Sequence, residues 1–528
     1  MSNQKTYVVI IDVNSLYPNI IVSHNISNET LYGVITNVNI ANQKEYLYKL
    51  FDIKDELDQQ FFKNFAKGRF AGRIFAFLLY ANMYDELSKL EFVVTTPDKQ
   101  TTYKGSELLE FLDKKELIVT GNGALFRSDM IGILAKIERD LLLSRDKYKK
   151  MLKENPDNIE ANIKQQAVKI LANSIYGILG TSKYLYYDVN LAEAITISGQ
   201  YISFYLTAYF NNLLDGKNEL KFDINAIRLG KSYYNDEQKY VLYRDTDSLF
   251  LKVKENYLNI DFEAKVKEIG IEILKNTSLR FVKNKNLDLF LQHSPKVKLE
   301  FVGDCALFTG SKKRYFIYDS KNDKYKLAGF ESSSNSKIQN QILIDTLKDI
   351  VLGNITKENK DIYLAKLKQT IVNKFMELKQ EVINSETVDD LEITSKVKLN
   401  ADFPAYTIQE FFAKYDNVKA LEKAIKETNT NIRSAIIYNT LMKQTRFTKG
   451  TKAFVIKGNY NMKAINELTK LVSPIYKPLV AKFASINNIV FDDIKFVHNY
   501  VNLDTTLKQL ADKTYKSIVN QLFDSLPI

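Results

Sequence analysis

The chain has 528 residues, 45% hydrophobic and 26% charged; that excludes a disordered chain and exceeds one core, so two to four domains or subdomains are expected. A single cysteine, Cys305, and three scattered histidines, His24, His293 and His498, exclude an internal disulfide and argue against zinc, leaving oxygen-held magnesium, manganese or calcium for any metal. The net charge of +11, with 32 Tyr and 31 Phe, fits a nucleic-acid partner; no apolar run is long enough for a membrane span, and the N-terminus lacks a signal-peptide pattern.

In chain order, TYVVIIDVNSLYPNIIVSHNI opens with a buried strand, YVVIID, then a turn and a helix. Residues 30–120 are mixed, with strand-like pieces EFVVTT and ELIVTGNGALF. Residues 129–154 carry apolar side chains at helical spacing; NPDN breaks the pattern, and 158–180 resume it. The two read as a helical hairpin. Residues 191–214 are again helical, and KYVLYRDTDSLFLKV reads as two strands around a tight turn. KVKLEFVGDCALF and KRYFIYDSKNDKYKLAGF form another strand pair around a basic loop. From about 337 the chain is mostly helical, interrupted by a strand-like TKAFVIKGN. The order suggests an α+β core with an inserted helical subdomain and a C-terminal helical one.

YRDTDSLFL puts Asp245 and Asp247 two residues apart between apolar runs, and on a strand such residues share a face. Side-by-side carboxylates near a hydrophobic sheet repel each other and resist desolvation. Asp12 ends the apolar run VVII in the same manner. Three strand-end carboxylates meeting at one point need cations; two magnesium ions roughly 3.5–4 Å apart would offset the repulsion and serve phosphoryl transfer. That reading requires Asp12 within about 10 Å of Asp245 and Asp247.

DVNSLYPN (12–19), KILANSIYG (169–177) and YRDTDS (243–248), in that order, resemble motifs A, B and C of the family B DNA polymerases. GSKKRY (310–315) is similar to the family's KKxY motif, and Arg145 and Lys149 in LLLSRDKYKK match its RxxxK. GNGALF and NIRSAIIYN look most like the phage replicative branch. The resemblance spans nearly the whole chain. It implies a right-hand α+β fold: antiparallel-sheet palm in 1–131 and 182–336, fingers in 132–181, and a mostly helical thumb with C-terminal tail in 337–528. The implied activity is template-directed transfer of dNTPs to a primer 3′-hydroxyl, with two Mg2+ ions (Mn2+ may substitute) on Asp12, Asp247 and Asp245. Asp247 is implied as the stronger ligand, Asp245 as support and Glu300 as an acidic accessory. Ser15, Leu16 and Tyr17 would cradle the nucleotide, with the Tyr17 ring rejecting a 2′-hydroxyl. Lys169 and Asn173 share one helical face, and Arg145 and Lys149 repeat that spacing on the facing helix. Together they would clamp the triphosphate, Lys169 among the catalytic groups, while Tyr176 and Gly177 meet the nascent pair and template. Lys312, Lys313, Arg314 and Tyr315 would contact primer–template DNA.

Family members usually carry a 3′–5′ exonuclease before motif A, whereas eleven residues precede Asp12 here. The expectation is a polymerase chain without proofreading of its own, its exonuclease on a separate chain of a naturally split enzyme; truncation of a longer chain is the alternative. SIVNQLFDSLPI resembles the tail with which phage polymerases hold a sliding clamp, so residues 519–528 are expected to bind one; a final helix turn packed on the thumb is the plainer reading. A phage origin places the protein in the cytoplasm of an infected bacterial host. Two rival readings are a protein-primed family B polymerase and an inactive DNA-binding scaffold.

Overall fold

The computed structural model describes residues 5–38, 44–50, 71–215, 240–258, 260–331, 335–388, 391–486 and 488–524. The chain divides into two compact units, 1–304 and 305–528. Both mix helices with antiparallel sheets, an α+β composition.

Strands of the N-terminal unit are β1 (Thr6–Val13), β2 (Leu31–Val38), β3 (Glu91–Thr95), β4 (Gln100–Lys104), β5 (Ile118–Val119), β6 (Ala124–Phe126), β7 (Val241–Asp245), β8 (Ser248–Lys254) and β9 (Val297–Gly303). They form a four-stranded sheet ordered β7-β8-β1-β9 and a five-stranded one ordered β4-β3-β2-β6-β5. β1 is central in the first, which is why VVII is apolar without alternation: Val9, Ile10 and Ile11 are all buried. The hairpin helices run Ile133–Glu154 and Ile159–Gly180, and Asn158 caps the second by accepting from the Ala161 N–H at 2.9 Å. A long helix, Val189–Asp215, returns beneath the first sheet's core.

The helices Ala71–Tyr80 and Gly105–Lys115 were not legible within the mixed 30–120 stretch. AGRIFAFLLY is buried at nine of ten positions, so it carries no polar face to set a period. With the second sheet, it builds a separate core around Phe75, Phe77 and Phe92.

The C-terminal unit holds two three-stranded sheets, β10 (Cys305–Phe308), β11 (Tyr315–Asp319) and β12 (Lys324–Ala328), then β13 (Ser395–Lys398), β14 (Lys452–Ile456) and β15 (Ile489–Phe491). Long helices, among them Lys360–Asn384 and Leu503–Ile518, cover a core containing Phe375, Phe411 and Tyr438. The stretch KVKLEFVGDCALF, read as one strand, is therefore two: β9 pairs with β1, and β10 pairs with β11. Compactness changes between Asp304 and Cys305.

Candidate active site

The first sheet brings distant motifs to one edge. Across it, Asp245 pairs with Ser248, Ser248 with Asp12, and Asp12 with Lys298. The Ser248 hydroxyl donates to Asp12 Oδ1 at 3.3 Å, and the Val13 N–H donates to the Asp247 carbonyl at 2.7 Å. Asp12 and Asp247 are thus neighbours at the ends of adjacent strands. Asp245 sits two strands from Asp12, roughly 10 Å by strand spacing. Thr246, between the two aspartates, has φ 52°. A β-branched residue rarely adopts that left-handed conformation, so the turn stores strain where it presents Asp247.

The pair is only partly compensated. Burial raises the Asp12 carboxyl above its ordinary value, and Glu300 adds to the rise, while Ser248, Lys169 and Lys298 oppose it. Burial likewise raises Asp247, followed by repulsion from Asp12, Asp245 and Glu300. The three-way convergence expected from the sequence is looser than anticipated. Among the described residues, no three His, Cys, Asp or Glu side chains come together closely enough to enclose a metal ion. The protein offers two facing carboxylates, with Asp245 and Glu300 at electrostatic range. This all-oxygen donor set fits a hard divalent cation that takes its remaining ligands elsewhere.

Opposite the carboxylates stands a group of cations. Burial lowers the Arg145 guanidinium, and its Nε is buried without a hydrogen-bond partner. Burial also lowers Lys149, with repulsion from Arg145, Lys298 and Lys169, against an ion pair with Asp146 at 4.0 Å. The hairpin helices therefore bring Arg145, Lys149 and Lys169 together, as the i, i+4 spacings implied. Lys298 completes the group. It carries no motif, and the only signal for it was its place, two residues before Glu300 on one strand face.

The turn between β1 and the Leu16–Ser23 helix joins the two charge groups. Ser15 has φ 48° and ψ 51°, and its hydroxyl accepts from Arg145 Nη1 at 2.8 Å. Asn19, to which the sequence assigned no role, pins the turn: its amide donates to the carbonyls of Asn14 at 2.8 Å and Ser15 at 3.1 Å. His293, held neutral by burial and neighbouring cations down to about 4, meets the Asn19 Oδ1 at 3.1 Å. Leu16 packs into the core, so it can offer a ligand only backbone. The Tyr17 ring lies 5.1 Å from that of Tyr176, and a Cβ at Gly199 would stand 3.3 Å from it. Burial raises the Tyr17 hydroxyl, then Tyr176 and Asp247. Asn173 is exposed one turn beyond Lys169, and a Cβ at Gly177 would meet nothing within 4 Å.

The KKRY turn belongs to the C-terminal unit, between β10 and β11. Lys312 and Lys313 are exposed, Lys313 with φ 55°, and Tyr315 begins β11. Arg314, expected to face DNA, is turned inward over the Phe330 ring at 4.6 Å. In the terminal stretch, Leu522 and Phe523 are buried in this unit's own core, so these apolar residues are not presented to a clamp; residues 525–528 lie outside the described residues. No helix among the described residues is long and apolar enough to cross a membrane.

A family model described as DNA polymerase family B matches residues 3–470. The DNA polymerase of Fowlpox virus (strain NVSL) is 24% identical over 371 residues, covering 67% of this chain and 30% of that protein. The DNA polymerase of Pyramimonas orientalis virus is 26% identical over 411 residues, covering 74% and 29%. DNA polymerase 1 of Pyrococcus abyssi is 31% identical over 204 residues, covering 38% and 21%. The matched region thus spans under a third of each of these relatives. With the model matching 468 of 528 positions (470 − 3 + 1), the chain belongs to the DNA polymerase family B.

Proposed function

We propose that this chain carries template-directed DNA synthesis, transferring a deoxynucleoside monophosphate from a dNTP to a primer 3′-hydroxyl with release of pyrophosphate. The observation that carries the reading is the juxtaposition of two half-buried, mutually repelling carboxylates with a cluster of four cations. A dNTP bridging divalent cations is the ligand whose charges complement both. Asp12 and Asp247 would hold Mg2+ or Mn2+, two ions by analogy with the family, with Asp245 and Glu300 tuning the site from outside. Such ions supply positive charge at the attacking hydroxyl and the leaving pyrophosphate.

The chain's own residues bind and orient. Arg145, Lys149, Lys169 and Lys298 take the triphosphate, and Arg145 can exchange its neutral Ser15 partner for a phosphate oxygen, a stronger charge-assisted bond. The N–H groups of the turn at Ser15, Leu16 and Tyr17 add donors. Tyr17, braced by Tyr176 and by the missing side chain of Gly199, stands where a ring excludes a 2′-hydroxyl. The open face at Gly177 leaves room for the template. In this reading 1–131 and 182–336 act as palm, 132–181 as fingers and 337–528 as thumb, and Lys312, Lys313 and Tyr315 touch the primer–template duplex.

Purified protein should extend a primed DNA template in Mg2+ or Mn2+, and Tyr17→Ala should relax rejection of ribonucleotides by about a hundredfold, or ~2.7 kcal/mol. No extension with either ion overturns the reading; unchanged discrimination overturns the role of Tyr17 alone.

A further inference from the structure

Arg314 sits in the KKRY turn but points away from solvent. Its guanidinium lies 4.6 Å from the Phe330 ring centroid, its Nη2 donates to the Gln521 carbonyl at 3.1 Å, and its Nε is buried without a partner. Phe330 is 3% exposed. The acceptor is not incidental. Gln521 lies in a π-helical turn, Val519–Phe523, that ends the long helix Leu503–Ile518. Carbonyls of a last helical turn have no partner within the helix, and cations satisfy them best. Two are taken this way: Arg314 holds that of Gln521, and Lys360 Nζ holds that of Phe523 at 3.2 Å. Leu522 and Phe523, between and beside these carbonyls, are 0% and 3% exposed, so the turn is anchored in the core.

The KKRY turn itself leaves little slack. Gly310 has φ 77° and Lys313 φ 55°. The Thr309 hydroxyl donates to the Arg314 carbonyl at 3.3 Å. Beneath, Gly329 at φ 73° comes so close that a Cβ there would stand 2.3 Å from the Lys313 carbonyl oxygen and 3.0 Å from the Arg314 Cα. The turn is held by its own hydrogen bond, wedged from below, and tied sideways to the end of the chain through one guanidinium.

We infer that Arg314 is a positioning residue: it couples the C-terminal turn to the KKRY turn, so that docking of Val519–Phe523 sets where Lys312 and Lys313 meet the primer–template. The inference rests on the reading of that turn as a primer–template contact. It gives the buried tail a function inside this chain, independent of any clamp.

Arg314→Lys decides the matter in the full-length chain, because it keeps the charge but loses the planar fork that stacks and donates together. Expected is a loss of primer–template affinity of about tenfold, one tenfold step being ordinary for a charge-assisted bond. The slope of log affinity against log salt should stay that of the parent. Amide exchange should quicken in 309–315 and in 519–523 together. Deleting 519–528 should cost clearly less in the Arg314→Lys background than in the parent; equal costs would mean that the two act independently and would overturn the coupling. If Arg314→Lys binds like the parent, the inference fails; if Arg314→Ala, which removes the charge, lowers the salt slope by about one, the residue touches phosphate directly and the inference fails as well. If exchange quickens only in 309–315, the coupling fails. Lys312→Ala separates the two levels: unchanged affinity there overturns the primer–template reading itself, while the exchange data still decide the coupling.

Discussion

Two arginines show how differently the two units treat charge. In the C-terminal unit, Arg446 donates from Nε to Asp492, which also accepts from the Tyr438 hydroxyl; the bond to Asp492 raises the Arg446 guanidinium above its ordinary value. In the N-terminal unit, Arg145 has one neutral partner, Ser15, and burial lowers its guanidinium. In the same unit, Asp12 and Asp247 are raised by burial and by acidic neighbours. Charge in the first place is matched within the fold and serves stability. In the second, like charges are held beside one another and only partly matched, at a cost in stability that a ligand carrying both signs of charge would relieve.

The sharpest way to break that contrast is to remove a site carboxylate. Asp247→Asn should lower primer extension at least ~1000-fold, about 4 kcal/mol, yet leave the melting temperature at neutral pH equal or higher. The sign follows from the raised carboxyl. Its folded value lies above the unfolded one, so the proton it keeps on folding favours the folded state at low pH. That advantage is lost as pH rises from the unfolded value through the folded one, and asparagine never loses it. A lower melting temperature would mean the carboxylate is structurally compensated after all.

Glu138 extends the contrast beyond the reacting groups. It is fully buried on the first hairpin helix, both carboxyl oxygens lack a hydrogen-bond partner, and burial raises it to about 8. Stability should fall as pH rises from about 4.5 to about 8. Glu138→Gln should flatten that profile and gain roughly 2 kcal/mol at its upper end. Parallel melting curves for parent and variant across this range would show that the group has a partner in solution.

Lys149→Ala should raise the KM for dNTP by about thirtyfold, ~2 kcal/mol. Inorganic triphosphate should raise the melting temperature of the parent and do so less in the variant. Equal protection of both would remove Lys149 from the phosphate group. The smallest effect is expected where charge is already matched. Asp492→Ala should cost about 1–2 kcal/mol of stability by orphaning the Tyr438 hydroxyl, without changing the KM for dNTP.

What could be read from the chain tracks this division. Asp12, Asp247, Lys169 and Arg145 stood out because carboxylates at the ends of apolar strands, and paired cations at helical spacing, conflict with ordinary folding; the conflict is itself the signal. Lys298 and Asn19 gave none, since a lysine on a strand and an asparagine after a proline are unremarkable until tertiary pairing sets them beside Asp12 and Ser15. Glu138 was hidden in IERD, where a glutamate looks like any charged helical face. The break at Asp304 was hidden for the opposite reason: β9 and β10 are both apolar enough to read as one run, and only their partners, β1 and β11, tell them apart. The packing of Arg314 over Phe330 could not be read because the motif fixes its place in the turn but not the direction of its side chain.

Gly177 offers a probe of what surrounds this molecule. Nothing in the fold stands within 4 Å of the position a methyl group would take there, so folding places no steric demand for glycine at that point. Any intolerance of Gly177→Ala beyond its modest helical preference, which favours alanine, belongs to something arriving from outside. Heat and denaturant should then register at most a modest stabilisation, while a polynucleotide strand would feel the change as an obstacle.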